Sequence, residues 1–366
     1  MRAREYGRHT QIHFGGIEIR KDMQTPSRKL DHLQICCNTQ VEAGRAGFED
    51  VRLAHAALPE LDLEGIRLQT RFLGAELGSP LFIAAMTGGH PATTEVNRRL
   101  ARVAEEFRLG MGVGSQRAAL EHPELEESFT VVRDEAPHAF LCANLGAVQL
   151  RDHGAEWAER AVEMIEADAL CIHLNFLQEA TQPEGDHDAR GCLAAIADLC
   201  RDFRTPVILK ETGAGITAET ARLIWGAGAA AIDLGGAGGT SWAAVEVERT
   251  GGDEALKALG QRFLGWGIPT VVSLCEVAGS GPVIATGGVR SGIDIARALA
   301  LGADLGGMAL PLLKPAMESE DALEQTVRAF LRELRVAMFL TGSGSVRDLA
   351  QVRTYITGTT RQMLCE

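Results

Sequence analysis

The side chains best suited to chemistry fall in a few short stretches. The richest runs His173-Leu174-Asn175-Phe176-Leu177-Gln178-Glu179 and continues into Gln182-Pro183-Glu184-Gly185-Asp186. In an extended strand His173 and Asn175 point the same way, because the side-chain period is two. Both could therefore face one ligand, with Gln178 and Glu179 following on the loop. A histidine at the end of an apolar run is, alone, as readily a core residue. Beside three further polar side chains it reads as part of a site. One carboxylate is too little for a structural cation cage. It suits Mg2+ whose shell is completed by water and substrate phosphate oxygens, which makes Glu179 the candidate metal ligand.

Other stretches add cations and donors. Ser115-Gln116-Arg117 supplies a hydroxyl, an amide and a guanidinium fork for an anion. Lys210 closes the apolar run PVILK, where an unpaired ammonium is costly to bury. It must meet either an electron-rich ring edge, such as a flavin's, or a carboxylate, for which Glu211 is the neighbour at hand. Ser27-Arg28-Lys29-Leu30-Asp31-His32 carries two adjacent cations. They form either a solvated face or, if the segment folds over a site, a phosphate grip.

These residues sit at the ends of apolar runs. The runs are Leu81–Met86, Leu109–Gly114, Phe140–Leu145, Ala169–Leu174, Pro206–Lys210, Ala230–Leu234, Val283–Ala285 and Leu305–Leu310. Runs apolar on both faces suit a buried parallel sheet. Helical patterns alternate with them at Thr94–Phe107, Glu156–Glu166, Cys192–Arg201, Ala218–Trp225 and Gly292–Leu301. The alternation predicts an α/β fold, a single (β/α)8 TIM barrel. Residues 1–79 form an N-terminal extension and lid segment, 80–314 the barrel, and 315–366 a C-terminal helical tail, with Met317–Leu340 helical. The long interval from Ile232 to Ile284 calls for an inserted helical excursion.

The 41 glycines then gain a meaning. Many fall just after the runs, where barrel active sites form, and glycine there lets backbone N–H groups approach a ligand closely. Thr286-Gly287-Gly288-Val289-Arg290 after the seventh run and Ala309-Leu310 at the eighth occupy the usual barrel phosphate position. A net charge of −13 argues against general nucleic-acid binding. No apolar run is long enough for a membrane span, and no signal-peptide stretch opens the chain. The eight cysteines include no CxxC pair and read as free thiols, which points to a reducing, cytoplasmic location.

The motifs SRKLDH, PLFIAAMTGG, GVGSQRAAL, ANLGAVQL, HLNFLQEATQPEGD, PVILKETGAG, DLGGAGGTSW and ATGGVRSG together resemble the type 2, FMN-dependent isopentenyl-diphosphate isomerases over about residues 25–350. The resemblance implies interconversion of isopentenyl and dimethylallyl diphosphate in isoprenoid biosynthesis, with reduced FMN, Mg2+ and NADPH or NADH as reductant. It implies flavin contacts from Ala85, Met86, Thr87, Ser115, Asn144, Lys210 and Thr240. The FMN phosphate site would comprise Gly287, Gly288, Val289, Arg290, Ala309 and Leu310. Substrate would be held by Arg28, Lys29, Ser115, Gln116, Arg117, His173, Asn175 and Gln178, with Gln178 and His173 nearest the chemistry and Glu179 on the metal. A homotetramer or homo-octamer is the implied assembly. The N-terminal stretch is longer than the family pattern, and residues 1–24 receive no role from it.

One rival is an FMN-dependent 2-hydroxy-acid oxidase, which shares the barrel and phosphate loops. Such oxidases carry a His-Gly-x-Arg run after the sixth strand and use active-site tyrosines. Here that stretch is Leu234-Gly235-Gly236-Ala237-Gly238, and the only tyrosines are Tyr6 and Tyr355. A flavin-binding protein without catalysis is the other alternative. It would not need Arg28, Arg117, His173, Asn175 and Glu179 together.

Overall fold

A computed structural model describes residues 24–249 and 253–365. Eight strands close into a parallel barrel in chain order. They are β1 (Leu81–Ile83), β2 (Gly110–Gly112), β3 (Phe140–Gly146), β4 (Ala169–Leu174), β5 (Val207–Glu211), β6 (Ala231–Asp233), β7 (Val283–Ala285) and β8 (Leu305–Met308). β8 returns to pair with β1, placing Gly306 opposite Leu81. The expected runs for β1, β2, β6 and β8 overshoot at their C-terminal ends, while β3 and β5 each extend one residue beyond theirs. Ala85, Met86 and Thr87 have already left β1, because there the chain turns from ladder to loop.

Side chains fill the barrel. Phe82, Phe140, Cys142, Cys171, Ile208, Ile284 and Leu305 belong to one buried cluster with Phe72 and Leu77. Gly110 explains how Phe82 fits: a Cβ at that position would lie 2.7 Å from its ring. Phe72 and Leu77 come from a hairpin, Thr70–Phe72 with Ala75–Leu77, that precedes β1. Phe72 meets Phe140 edge-on at 5.9 Å, so this hairpin stops the end of the barrel where the strands begin.

The helix Thr94–Phe107 buries Val96, Leu100, Val103 and Ala104, a stripe at helical spacing, and ends at Arg108 in the left-handed region. The helix expected at Glu156–Glu166 starts earlier, at Ala147, and bends at Gly154 (φ 68°). The polar residues QLRDHG before that bend mask the pattern. Among its described residues the Ile232–Ile284 interval holds three helices, Trp242–Arg249, Glu254–Arg262 and Thr270–Val277. The tail splits into Leu310–Glu318 and Glu320–Leu340, where Ser319 leaves helical geometry and its side chain caps Ala322 N–H.

The two ends of the described chain are tied together. Val51–Leu53 pairs antiparallel with Thr354–Ile356. Asp50 Oδ2 accepts from Thr360 Oγ1 at 2.8 Å. The helix Gln24–Asn38 packs against Trp242–Arg249 and Leu310–Glu318, beside the barrel mouth. All eight cysteines are free. Among the described residues no helix is long and apolar enough to cross a membrane.

Candidate active site

One deep cavity opens where the strands end. It is lined by Ala85, Met86 and Thr87 after β1, Ser115 and Arg117 after β2, and Asn144 on β3. His173, Asn175, Gln178 and Glu179 from β4 and its loop, Lys210 from β5 and Thr240 after β6 continue the wall. Gly287, Gly288 and Arg290 after β7, Ala309 and Leu310 after β8, and Lys29 from the helix Gln24–Asn38 complete it. Parallel strands whose ends converge thus bring together residues spread over most of the chain. The Arg28 side chain and residues 1–23 lie outside the described residues.

Two residues expected at a ligand stand elsewhere. Gln116 is fully buried. Its Nε2 donates to Ala161 O at 2.8 Å and its Oε1 accepts from Asn144 N–H at 2.8 Å. Its amide is therefore spent inside the fold, on fixing Asn144, and does not reach a diphosphate. Val289 is likewise fully buried in the core, so only its backbone borders the phosphate turn.

Asn144 in turn sets His173. Asn144 Nδ2 donates to Val113 O at 2.9 Å, which fixes the amide and turns Oδ1 to His173 Nδ1 at 2.8 Å. An amide oxygen only accepts, so Nδ1 carries the hydrogen and Nε2 is left as an acceptor. Burial, together with the nearby Lys29 and Lys210 charges, holds the imidazole pKa down to about 3, so it is neutral.

Glu179 is braced from three sides. Oε1 accepts from Asn175 Nδ2 at 2.7 Å; Oε2 accepts from Gln182 Nε2 at 2.6 Å and from Asp186 N–H at 2.8 Å. Asp186 Oδ2 accepts from Gln149 Nε2 at 3.2 Å and lies 3.5 Å from Arg117 Nη1. Gln149 also lines the cavity. Nothing in the sequence marks Gln149, which lies in the polar stretch before Gly154 where no helical pattern shows. Among the described residues no cluster of three or more His, Cys, Asp or Glu side chains could hold a metal by itself. A carboxylate with a buried amide oxygen beside it, Gln182 Oε1, which has no hydrogen-bond donor, does fit a hard cation sharing its shell with a ligand.

Lys210 has its anion, and it is not Glu211. Nζ lies 3.1 Å from Asp233 Oδ2, and Asp233 Oδ1 accepts from Thr286 Oγ1. The Glu211 carboxylate turns back on its own loop and accepts N–H bonds from Thr212 and Gly213, both at 2.6 Å, and from Ala214. Burial still pushes its pKa up to about 7 against those bonds and the Lys210 charge.

At the β7–β8 side Gly287 and Gly288 adopt φ of 100° and 70°. A Cβ on Gly239 would sit 2.5 Å from Gly288 N, so the loops pack backbone to backbone there. Successive glycines of this kind form a concavity for an anion. Arg290 Nε donates to Glu42 Oε1 at 2.7 Å, and Nη1 donates to Val289 O at 2.8 Å. Glu42 was not singled out in the sequence. It reaches the site because Val41–Ala43 runs alongside Gly239–Ser241, with Ala43 N–H donating to Gly239 O at 3.1 Å. The glycine turn, the guanidinium and the cationic strand end fit the phosphate and polar ring edge of FMN.

A second unexpected carboxylate lies under Gln178. Glu246 is fully buried; its Oε1 accepts from Gln178 Nε2 at 2.9 Å and lies 3.1 Å from His32 Nε2, while Oε2 accepts from Arg249 Nε at 2.6 Å. Burial would push its pKa up, but the His32, Gln178 and Arg249 contacts outweigh it and hold the pKa at about 2.

A family model described as FMN-dependent dehydrogenase matches residues 155–355. The chain is 67% identical to an isopentenyl-diphosphate delta-isomerase of Methanoregula boonei, over 93% of this chain and 96% of the relative. The chain belongs to the FMN-dependent isopentenyl-diphosphate delta-isomerases. Isomerases of that name from Halobacterium salinarum (53% identical, 93% of this chain, 96% of the relative) and Archaeoglobus fulgidus (50%, 93% and 99%) extend the match. Solved structures share the isomerase barrel. A flavocytochrome b2 variant superposes with TM-score 0.66 at 16% identity, over 90% of this chain and 84% of the other. A mandelate oxidase variant with an FMN adduct gives 0.60 at 18%, over 91% and 93%. At such identities the likeness is one of fold.

Proposed function

We propose that this isomerase interconverts isopentenyl and dimethylallyl diphosphate in the cavity at the strand ends, with FMN in its reduced form and Mg2+. The observation that carries the reading is the placement of three chemistries in one cavity. A glycine-and-arginine anion turn, a buried cationic strand end and a braced carboxylate line the same space.

When bound, reduced FMN supplies an electron-rich ring system whose N5 serves as acid and base and whose charge stabilises a carbocation-like state. The chain's own residues hold and orient. Gly287, Gly288 and Arg290 grip the cofactor phosphate, Lys210 approaches the polar ring edge, and Ala85, Met86, Thr87, Ser115, Asn144, Thr240, Ala309 and Leu310 border the cofactor. Lys29, Arg117, His173 and Asn175 face the substrate diphosphate, and Glu179 would hold the metal ion. Gln178, tethered to Glu246, orients the reacting carbons; an amide does not titrate and is not itself a base. Val289 contributes backbone only, and Gln116 acts through Asn144.

The oxidase alternative lacks its chemistry here. The stretch after β6 is Leu234-Gly235-Gly236-Ala237-Gly238, and Tyr355 lies on the short sheet away from the cavity. A nicotinamide dinucleotide as reductant, a cytoplasmic location and a homotetramer or homo-octamer complete the proposal. The test is an anaerobic assay with FMN, NADPH and Mg2+. Dimethylallyl diphosphate forms only when all three are present. A yellow, FMN-loaded protein that leaves isopentenyl diphosphate unchanged would overturn the reading.

A further inference from the structure

Among the described residues, Gln182 Oε1 is a buried side-chain oxygen at the Glu179 end of the cavity that the fold leaves without a hydrogen-bond partner. Its identity as the oxygen is fixed by chemistry. The other end of the amide lies 2.6 Å from Glu179 Oε2, and a carboxylate there accepts only from the N–H end. The residue is 2% exposed, so Oε1 has no bulk water to turn to. A buried acceptor left without a donor carries its full desolvation cost. Neighbouring groups hold Glu179 in place: Asn175 Nδ2 and the Asp186 N–H both donate to its carboxylate, and His187 Nε2 lies 3.0 Å from Glu179 O. The loop is also built to stay put. A Cβ at Gly185 would fall 1.8 Å from Glu179 O, so only glycine lets the chain fold back this closely.

We propose that Gln182 is the second protein oxygen of the divalent-cation site, its Oε1 facing the cation or a water in its inner shell beside Glu179. Hard cations take carboxylate and side-chain amide oxygens together, and Mg2+ keeps several waters that need acceptors. The same amide then serves the site at both ends. Its N–H holds the metal-binding carboxylate, and its oxygen meets the ion. This inference rests on Glu179 as the metal ligand.

The test titrates Mn2+, as a spectroscopic substitute for Mg2+, into FMN-loaded protein with inorganic pyrophosphate, reading free Mn2+ by electron paramagnetic resonance. Gln182→Leu is expected to raise the Mn2+ Kd at least tenfold with FMN content unchanged. Gln182→Glu keeps an oxygen but gives up the N–H brace, and is expected to bind Mn2+ at least as tightly as the parent. Gln182→Leu within twofold of the parent, or Gln182→Glu as weak as Gln182→Leu, would overturn the proposal. Glu179→Gln is the control. If it too leaves Mn2+ binding unchanged, the cation lies elsewhere and the Glu179 assignment fails. If it abolishes binding while Gln182→Leu does not, only the Gln182 role fails.

Discussion

Asn144 Oδ1 meets His173 Nδ1 at 2.8 Å, and this contact decides which nitrogen of the imidazole faces the ligand. With Nδ1–H committed to Asn144, Nε2 of the neutral imidazole is an acceptor. An anion arriving there needs a donor, so His173 must gain a proton when it grips a diphosphate. The low pKa of about 3 comes first from burial, then from Lys29 and Lys210. The two negative charges of a bound diphosphate group reverse the electrostatic part. Binding of Mg2+–pyrophosphate near pH 7 is therefore expected to take up about one proton at this residue, following the linkage between binding and protonation. Calorimetry in buffers of different ionisation enthalpy measures it. His173→Gln should lose that uptake; equal uptake in parent and variant would place the proton elsewhere.

Lys210 and Asp233 make the second testable relationship. They are neighbours across the β5–β6 ladder and both are buried. Removing one partner of a buried pair leaves the other charge without compensation, at about 3–5 kcal/mol. Asp233→Asn is expected to lower the urea midpoint of the FMN-free protein markedly. Adding Lys210→Met to it should restore much of the loss, because no lone charge remains buried. Additive losses in the double variant would show that the two residues do not act as a pair.

Glu211 makes stability depend on pH in a direction unusual for a carboxylate. Its folded-state pKa is raised, from 4.5 to about 7, chiefly by burial. The folded chain therefore binds this proton more tightly than the unfolded chain does. Its penalty is absent below about pH 4.5 and grows as pH rises towards 7, to about 3 kcal/mol. Urea unfolding of FMN-free Glu211→Gln should lose this fall in stability between pH 5 and 7. A slope identical to that of the parent would refute it.

The barrel was legible because strands buried on both faces read as uninterrupted apolar runs, as PVILK does. The catalytic rim was legible because polar residues at the ends of such runs have few other reasons to be there. Their partners were less so. Asp233 lies inside the short run Ala230–Leu234 and becomes the counter-ion of Lys210 only through the register of two neighbouring strands. Glu42 and Glu246 lie far along the chain from Arg290 and Gln178, and a sequence window does not contain such a pairing. Gln116 reads as a ligand residue only through proximity. It stands between Ser115 and Arg117, which both line the cavity, but as the residue just before the helix Arg117–Glu121 it turns inward to Asn144. Helical kinks escape the same way: the bend at Gly154 separates a short buried segment, Ala147–Leu150, from the amphipathic half that follows.

The most direct test of the central claim follows the proton. Isopentenyl diphosphate is incubated anaerobically in D2O with the FMN-loaded, reduced protein and Mg2+, and the product is examined by proton and deuterium NMR. Dimethylallyl diphosphate carrying deuterium in the newly formed methyl group, with no net consumption of reductant per turnover, is the predicted result. Product without deuterium, stoichiometric consumption of reductant, or no product from flavin-loaded protein would contradict the account.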